Sequence, residues 1–270
     1  MSIHKIVVSV IAAVLVVILY NLPRVVVDND SSETGITSDP EPITAHQFQI
    51  GSDDSLKISS LLQIISDEQD NKKNAIFADS LANLYLLYSE LDSATKYAAH
   101  ILTLGNDKEN FLLAGNIFFK AYGFAKNEGE ATEYGEKAAQ CFEKVLESDA
   151  NDPDVRAKLA MTVVTSANPM KGIGMLREVL EEYPENETAL YNLGVLSMQS
   201  GQYDKAIGRF EKLIEVSPES LQAYFYLAVS HFELGNKERA FELFNKVKLM
   251  DNDPAIIQAA DGYLNEINEL

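Results

Sequence analysis

Three patterns of apolar and polar positions divide the chain. Ile6 to Tyr20 is an unbroken run of 15 residues in which only Ser9 and Tyr20 carry a side-chain polar group. Asp28 to Ser55 is its opposite: seven acidic residues, no Lys or Arg, Pro40, Pro42 and many Ser and Thr. From Leu56 onward apolar residues recur at helical spacing, which predicts a succession of amphipathic helices.

The first pattern predicts a single transmembrane helix at the short end of what spans a bilayer, with residues 1–27 as the anchor. A removable signal peptide is the alternative, but Leu19-Tyr20-Asn21-Leu22-Pro23-Arg24 offers no small-residue cleavage site. Lys5 and the amino terminus lie before the run and Arg24 after it. That balance places the amino terminus in the cytoplasm and the rest on the non-cytoplasmic side. The second pattern, 28–55, predicts a disordered acidic spacer, since it has too little apolar surface to offset the entropy of ordering.

The third contains a repeat. Tyr191, Leu193, Gly194, Gly201, Ala206, Phe210 and Leu213 correspond to Phe225, Leu227, Ala228, Gly235, Ala240, Phe244 and Val247, each 34 residues later. The same interval backwards finds Ala160, Gly172, Leu176, Val179 and Pro184, the last matched by Pro218. Further back the register slips: Ala94, Ala98 and Ile101 precede Ala138, Phe142 and Val145 by 44 residues. The extra ten are expected between the two helices of that unit, around Gly123 to Gly135. Small residues permit close helix contact, and glycine suits the left-handed position that ends a helix. Proline stops one unit before the next.

This period, with its Leu-small pair, central Gly, Ala-xxx-Phe and terminal Pro, resembles the tetratricopeptide repeat. The resemblance implies an all-α solenoid of antiparallel helix pairs over 56–270. Its units fall at about 75–108, 109–152, 153–186, 187–220 and 221–254. Residues 255–270 form a C-terminal cap helix, with Ile256, Ile257, Tyr263, Leu264 and Ile267 available to cover the last unit.

Charge and chemistry narrow the function. A formal charge of −19 repels a phosphate backbone, so nucleic acid is excluded as a partner. One cysteine excludes an intramolecular disulfide, and no spacing of Cys, His or acidic residues supports a metal. Cys141, beside Phe142, reads as a buried thiol. Lys171-Gly172-Ile173-Gly174 lacks the context of a phosphate loop, and Gly172 is better explained as a close-contact position. No cofactor and no enzyme activity is expected.

What remains is recognition. Carried over from the family, the first helix of each pair lines a concave groove. Its residues here are Ala157, Met161 and Val164, then Tyr191, Val195 and Met198, then Phe225, Val229 and Phe232. Such an apolar groove suits an amphipathic helix or hydrophobic peptide segment of a protein partner. Packing against neighbouring units is the competing role for the same stripe. The basic clamp by which some tetratricopeptide co-chaperones grip acidic tails is matched only at Asn192 and Lys158, and with the whole chain at −19 a partner ending in acidic residues is not expected. Anchor and repeats together resemble bacterial inner-membrane accessory proteins of secretion or cytochrome c maturation. They predict a membrane-bound scaffold. A self-associating structural protein is the alternative, since Ser9 and Ala13 form a small-xxx-small pair that favours helix pairing.

Overall fold

The computed structural model describes residues 50–164, 169–251 and 253–269. The expected anchor and nearly all of the expected spacer lie outside these residues. Among the described residues, no helix is long and apolar enough to cross a membrane.

All twelve described elements are helices. An N-terminal helix, α1 (Ser52–Asp67), is followed by five hairpins and a final helix. The hairpins are α2 (Asn71–Leu87) with α3 (Leu91–Leu104), α4 (Lys108–Gly123) with α5 (Glu128–Ser148), and α6 (Pro153–Val164) with α7 (Pro169–Glu182). Then come α8 (Glu187–Gln199) with α9 (Tyr203–Val216) and α10 (Leu221–Glu233) with α11 (Lys237–Met250), closed by α12 (Pro254–Glu269). Each hairpin packs on the next, the arrangement of a repeat array in which contacts are made between neighbours.

Local chemistry sets the ends. Asp70, Asp107, Asn127, Asn186 and Ser220 each accept a hydrogen bond from a free backbone N–H in the first turn of α2, α4, α5, α8 and α10. Gly201 and Gly235 follow α8 and α10 with φ of 70° and 76°. There the N–H groups of Gln202 and Asn236 reach back to the carbonyls of Ser197 and His231, a Schellman closure. The hairpin α2–α3 closes the same way, Glu90 N–H to Tyr85 carbonyl, but with Ser89 at φ 58° where the later units use glycine.

Two boundaries differ from the sequence expectation. α1 begins at Ser52, inside the stretch read as spacer. Its acidic residues Asp53 and Asp54 sit in the first turn, where the positive end of the helix dipole favours them. Asp54 also accepts hydrogen bonds from Lys57 Nζ at 2.7 Å and Tyr88 Oη at 2.5 Å. Nor do the ten extra residues form a long loop. Only 124–127 separate α4 from α5, and those helices have 16 and 21 residues against 13 and 14 in α8 and α9. Longer helices bury more apolar surface than an extended loop and leave fewer backbone groups unpaired.

The core runs along the hairpin interfaces. Phe142, Phe210 and Phe244, at equivalent places in three units, are fully buried, as are Ala138, Ala206 and Ala240. A Cβ built on Gly194 would lie 2.6 Å from Phe210 Cε1, and one on Gly172 would lie 2.5 Å from the Ala160 carbonyl oxygen. Close helix approach therefore requires glycine at both positions.

Candidate partner-binding face

The first helices of the last three hairpins, α6, α8 and α10, carry the residues assigned to the groove. Met161, Tyr191, Val195, Met198, Phe225 and Phe232 are all partly buried and keep some exposed surface. Val229 does not: it is 7% exposed and belongs to the core of the last units. Ala157 and Val164 are buried as well.

The aromatic members are tied to each other across helices. Tyr191 of α8 meets Tyr226 of α10 edge-on, ring centroids 5.9 Å apart. Phe225 touches Tyr226 at 5.8 Å, Phe244 of α11 at 5.7 Å and Tyr263 of α12 at 6.1 Å. Phe232 also meets Tyr263, at 5.4 Å, and Tyr263 stacks on Phe244 at 4.7 Å. Phe225 and Phe232 thus help seat the cap helix. Burial pushes the Tyr191 hydroxyl well above the usual tyrosine range and raises that of Tyr263. Met161, Val195 and Met198 take no part in these ring pairs and form the aliphatic part of the face.

Toward α2 the first helices of the hairpins turn polar. Lys120 Nζ donates to Asn83 Oδ1 at 2.6 Å, and Lys158 Nζ donates to Asn116 Oδ1 at 2.8 Å. Among the described residues neither lysine has a carboxylate within ion-pair distance. Burial lowers the Lys158 pKa, Asp154 and Asp152 oppose that, and the nearby charge of Lys120 lowers it further. Asp154 is itself occupied, accepting from Asn186 Nδ2 at 2.7 Å and Thr188 Oγ1 at 3.1 Å. Asp79, on α2, is raised by burial, with Lys120 opposing. An ammonium group has three donors, and one amide oxygen each leaves both lysines able to receive an acidic group.

Sequence reasoning noted Lys158 and missed Asn83, Asn116 and Lys120. The signal was present. A Cβ on Gly115 would lie 2.9 Å from Cys141 Cβ and 3.0 Å from the Phe142 ring, so Gly115 is the counterpart of Gly194. Aligning the two puts Asn116 level with Val195. Asn192, the other clamp match, is satisfied within its own helix by the Thr188 carbonyl. Among the described residues no group of three or more His, Cys, Asp or Glu could hold a metal ion.

The comparisons with known proteins bear on the fold. The family model for the tetratricopeptide repeat matches residues 157–207 and 196–255. No curated protein matches the chain. Among solved structures, a tetratricopeptide repeat protein from Parabacteroides merdae ATCC 43184 is similar at 18% identity. That likeness covers 78% of this chain and 79% of that one, with a TM-score of 0.52. YrrB, described as a TPR protein with an unusual peptide-binding site, is 22% identical over 76% of this chain and 99% of its own, with a TM-score of 0.42. MamA is 19% identical over 63% and 94%, with a TM-score of 0.43. At these identities the likeness is one of fold, and the two lower scores carry no argument. The chain carries tetratricopeptide repeats in an all-helical array.

Proposed function

We propose that this chain is a membrane-anchored scaffold that holds a segment of a protein partner along the first helices of its repeats. Apolar side chains of the segment rest on Met161, Val195, Met198 and the exposed edges of Tyr191, Phe225 and Phe232. An acidic residue meets Lys120 and Lys158. The observation that carries this reading is Lys158: a desolvated cation with only an amide partner, on the helix whose next turn is Met161. Partial burial of a charge that Asp154 and Asp152 only partly offset is costly, and a partner's carboxylate relieves it.

The anchor in this reading is Ile6 to Tyr20, with the repeats on the non-cytoplasmic side of a bacterial inner membrane, in the manner of an envelope accessory factor. Its support is the length and apolarity of that run and the position of Lys5. Affinity isolation of the full chain from detergent-solubilised membranes tests the scaffold. A distinct protein should accompany the wild type and disappear with Val195→Asp/Met198→Asp, while the melting temperature shows the variant folded. The same companion on both proteins, or none on either, contradicts the reading.

A further inference from the structure

Arginine pairing is uneven along the array. Four of the chain's five arginines are among the described residues. Two are ion-paired: Arg156 meets Glu182 at 2.7 Å and Arg239 meets Glu242 at 2.8 Å. The other two, Arg177 on α7 and Arg209 on α9, have no carboxylate within ion-pair distance among the described residues. Scarcity is not the reason, since the chain holds 41 Asp and Glu against 22 Lys and Arg. Arg209 is half-buried. Its Nη1 donates to the Leu193 carbonyl at 2.9 Å and to the hydroxyl of buried Ser197, both on α8. Burial disfavours the Arg209 charge, and the nearby charge of Arg177 disfavours it further. Arg177 is exposed and hydrogen-bonds to no described residue. The next unit is built differently. Arg177 and Ser197 correspond to Glu211 and His231, each 34 residues later. There burial and Arg239 lower the His231 pKa, and Glu211 opposes them. A carboxylate stands in that unit where the preceding one has a second cation.

We infer that Arg177, Arg209 and Ser197 form a binding site for a phosphate monoester. A guanidinium presents five N–H donors in a planar fork. Arg209 uses only Nη1 on its two neutral acceptors, which leaves Nη2 and Nε, and Arg177 has all of its donors free. Two like charges side by side require a ligand of close to two negative charges. A phosphate monoester carries about −1.5 to −2 at pH 7 and three strong acceptor oxygens, whereas a carboxylate or a phosphodiester carries a single charge. The chain's other carboxylates do not prevent this, because salt screens exposed charges beyond about 8–10 Å. None of Met161, Val195, Lys120 or Lys158 takes part, so the site stands apart from the partner-binding face.

The test uses the full chain in mild detergent, labelled with nitrogen-15 at arginine, so that five side-chain Nε–H signals report on the five arginines. Titration with methyl phosphate should move the signals of Arg177 and Arg209, identified by their loss in Arg177→Gln and Arg209→Gln, and leave the others in place. Dimethyl phosphate and acetate, both monoanions, should bind at least about tenfold more weakly. Arg177→Gln should weaken methyl phosphate binding at least about tenfold and keep the wild-type melting temperature, since the side chain is exposed and unbonded. Arg239→Gln removes the same charge elsewhere and should leave the affinity unchanged. A peptide of otherwise neutral sequence with one phosphoserine separates the sources of the group. A gain of about tenfold or more over methyl phosphate marks a phosphorylated protein as the ligand, and no such gain marks a small phosphate compound. The inference is overturned if the Arg177 and Arg209 signals stay in place up to about 10 mM methyl phosphate. It is equally overturned if dimethyl phosphate binds as tightly, or if Arg177→Gln binds like the wild type.

Discussion

Replacing glycine by alanine at two helix-interior sites should have opposite effects on stability. Both Gly172 in α7 and Gly208 in α9 have ordinary helical φ. In each case alanine restricts the unfolded chain, a gain of about 0.5–1 kcal/mol. At Gly208 nothing lies within 4 Å of the new methyl group, so the full gain should appear. At Gly172 the methyl would lie 2.5 Å from the Ala160 carbonyl oxygen, 2.6 Å from the Val164 nitrogen and 2.7 Å from Val164 Cγ2. Two of these atoms are backbone and cannot swing aside, so α6 and α7 must separate. Overpacking of this kind costs about 1–3 kcal/mol, which exceeds the propensity gain and leaves a net loss of roughly 1–2 kcal/mol. Urea titration of each variant, with the slope checked against wild type, measures both values. Hydrogen exchange should speed up in α6 and α7 for Gly172→Ala alone. A Gly172→Ala chain as stable as Gly208→Ala would refute the helix contact on which the repeat assignment rests.

Other expectations follow from the same packing. Phe225→Ala should lower stability by about 3 kcal/mol, because the ring joins α10, α11 and α12. Val195→Ala should cost under about 1.5 kcal/mol, so calorimetry on the pair separates the ring's structural role from partner contact. Ser89→Gly should raise stability by about 0.5–1.5 kcal/mol in thermal unfolding, since φ of 58° strains any residue with a side chain. Burial pushes the Cys141 thiol from 9.0 up to about 11. Between those values the unfolded chain has lost its proton while the folded chain keeps it, so this group's contribution to stability falls as pH rises from about 9. At pH 8 a thiol reagent should leave the native protein unmodified and react fully once urea unfolds it.

How much was legible depended on how the repeat is built. From 153 to 254 the small residues, glycines and prolines recur every 34 positions because each performs the same steric task in every unit. The earlier hairpins obscured this by lengthening α4 and α5, and by using Ser89 where glycine is easier. The groove stripe was legible as a period, but the share of each side chain buried was not. That share depends on Tyr226 and Tyr263, which lie off the stripe and reach it only through the packing of α10 and α12. Lys120 and Lys158 were harder still. A lysine at helical spacing reads as a solvated face, and only three dimensions show that the available partners are asparagines, not carboxylates.

The most direct measurement places a photo-reactive residue at Met198 and, separately, at Leu249, which is 88% exposed on α11. Irradiation of cells producing the full chain, followed by mass spectrometry of the linked peptides, reads out what touches each position. The account predicts that Met198 links to one defined segment of a partner protein, that Lys158→Met reduces the yield severalfold, and that Leu249 links to no such segment. Equal linkage from both positions, or linkage at Met198 indifferent to Lys158, would contradict it.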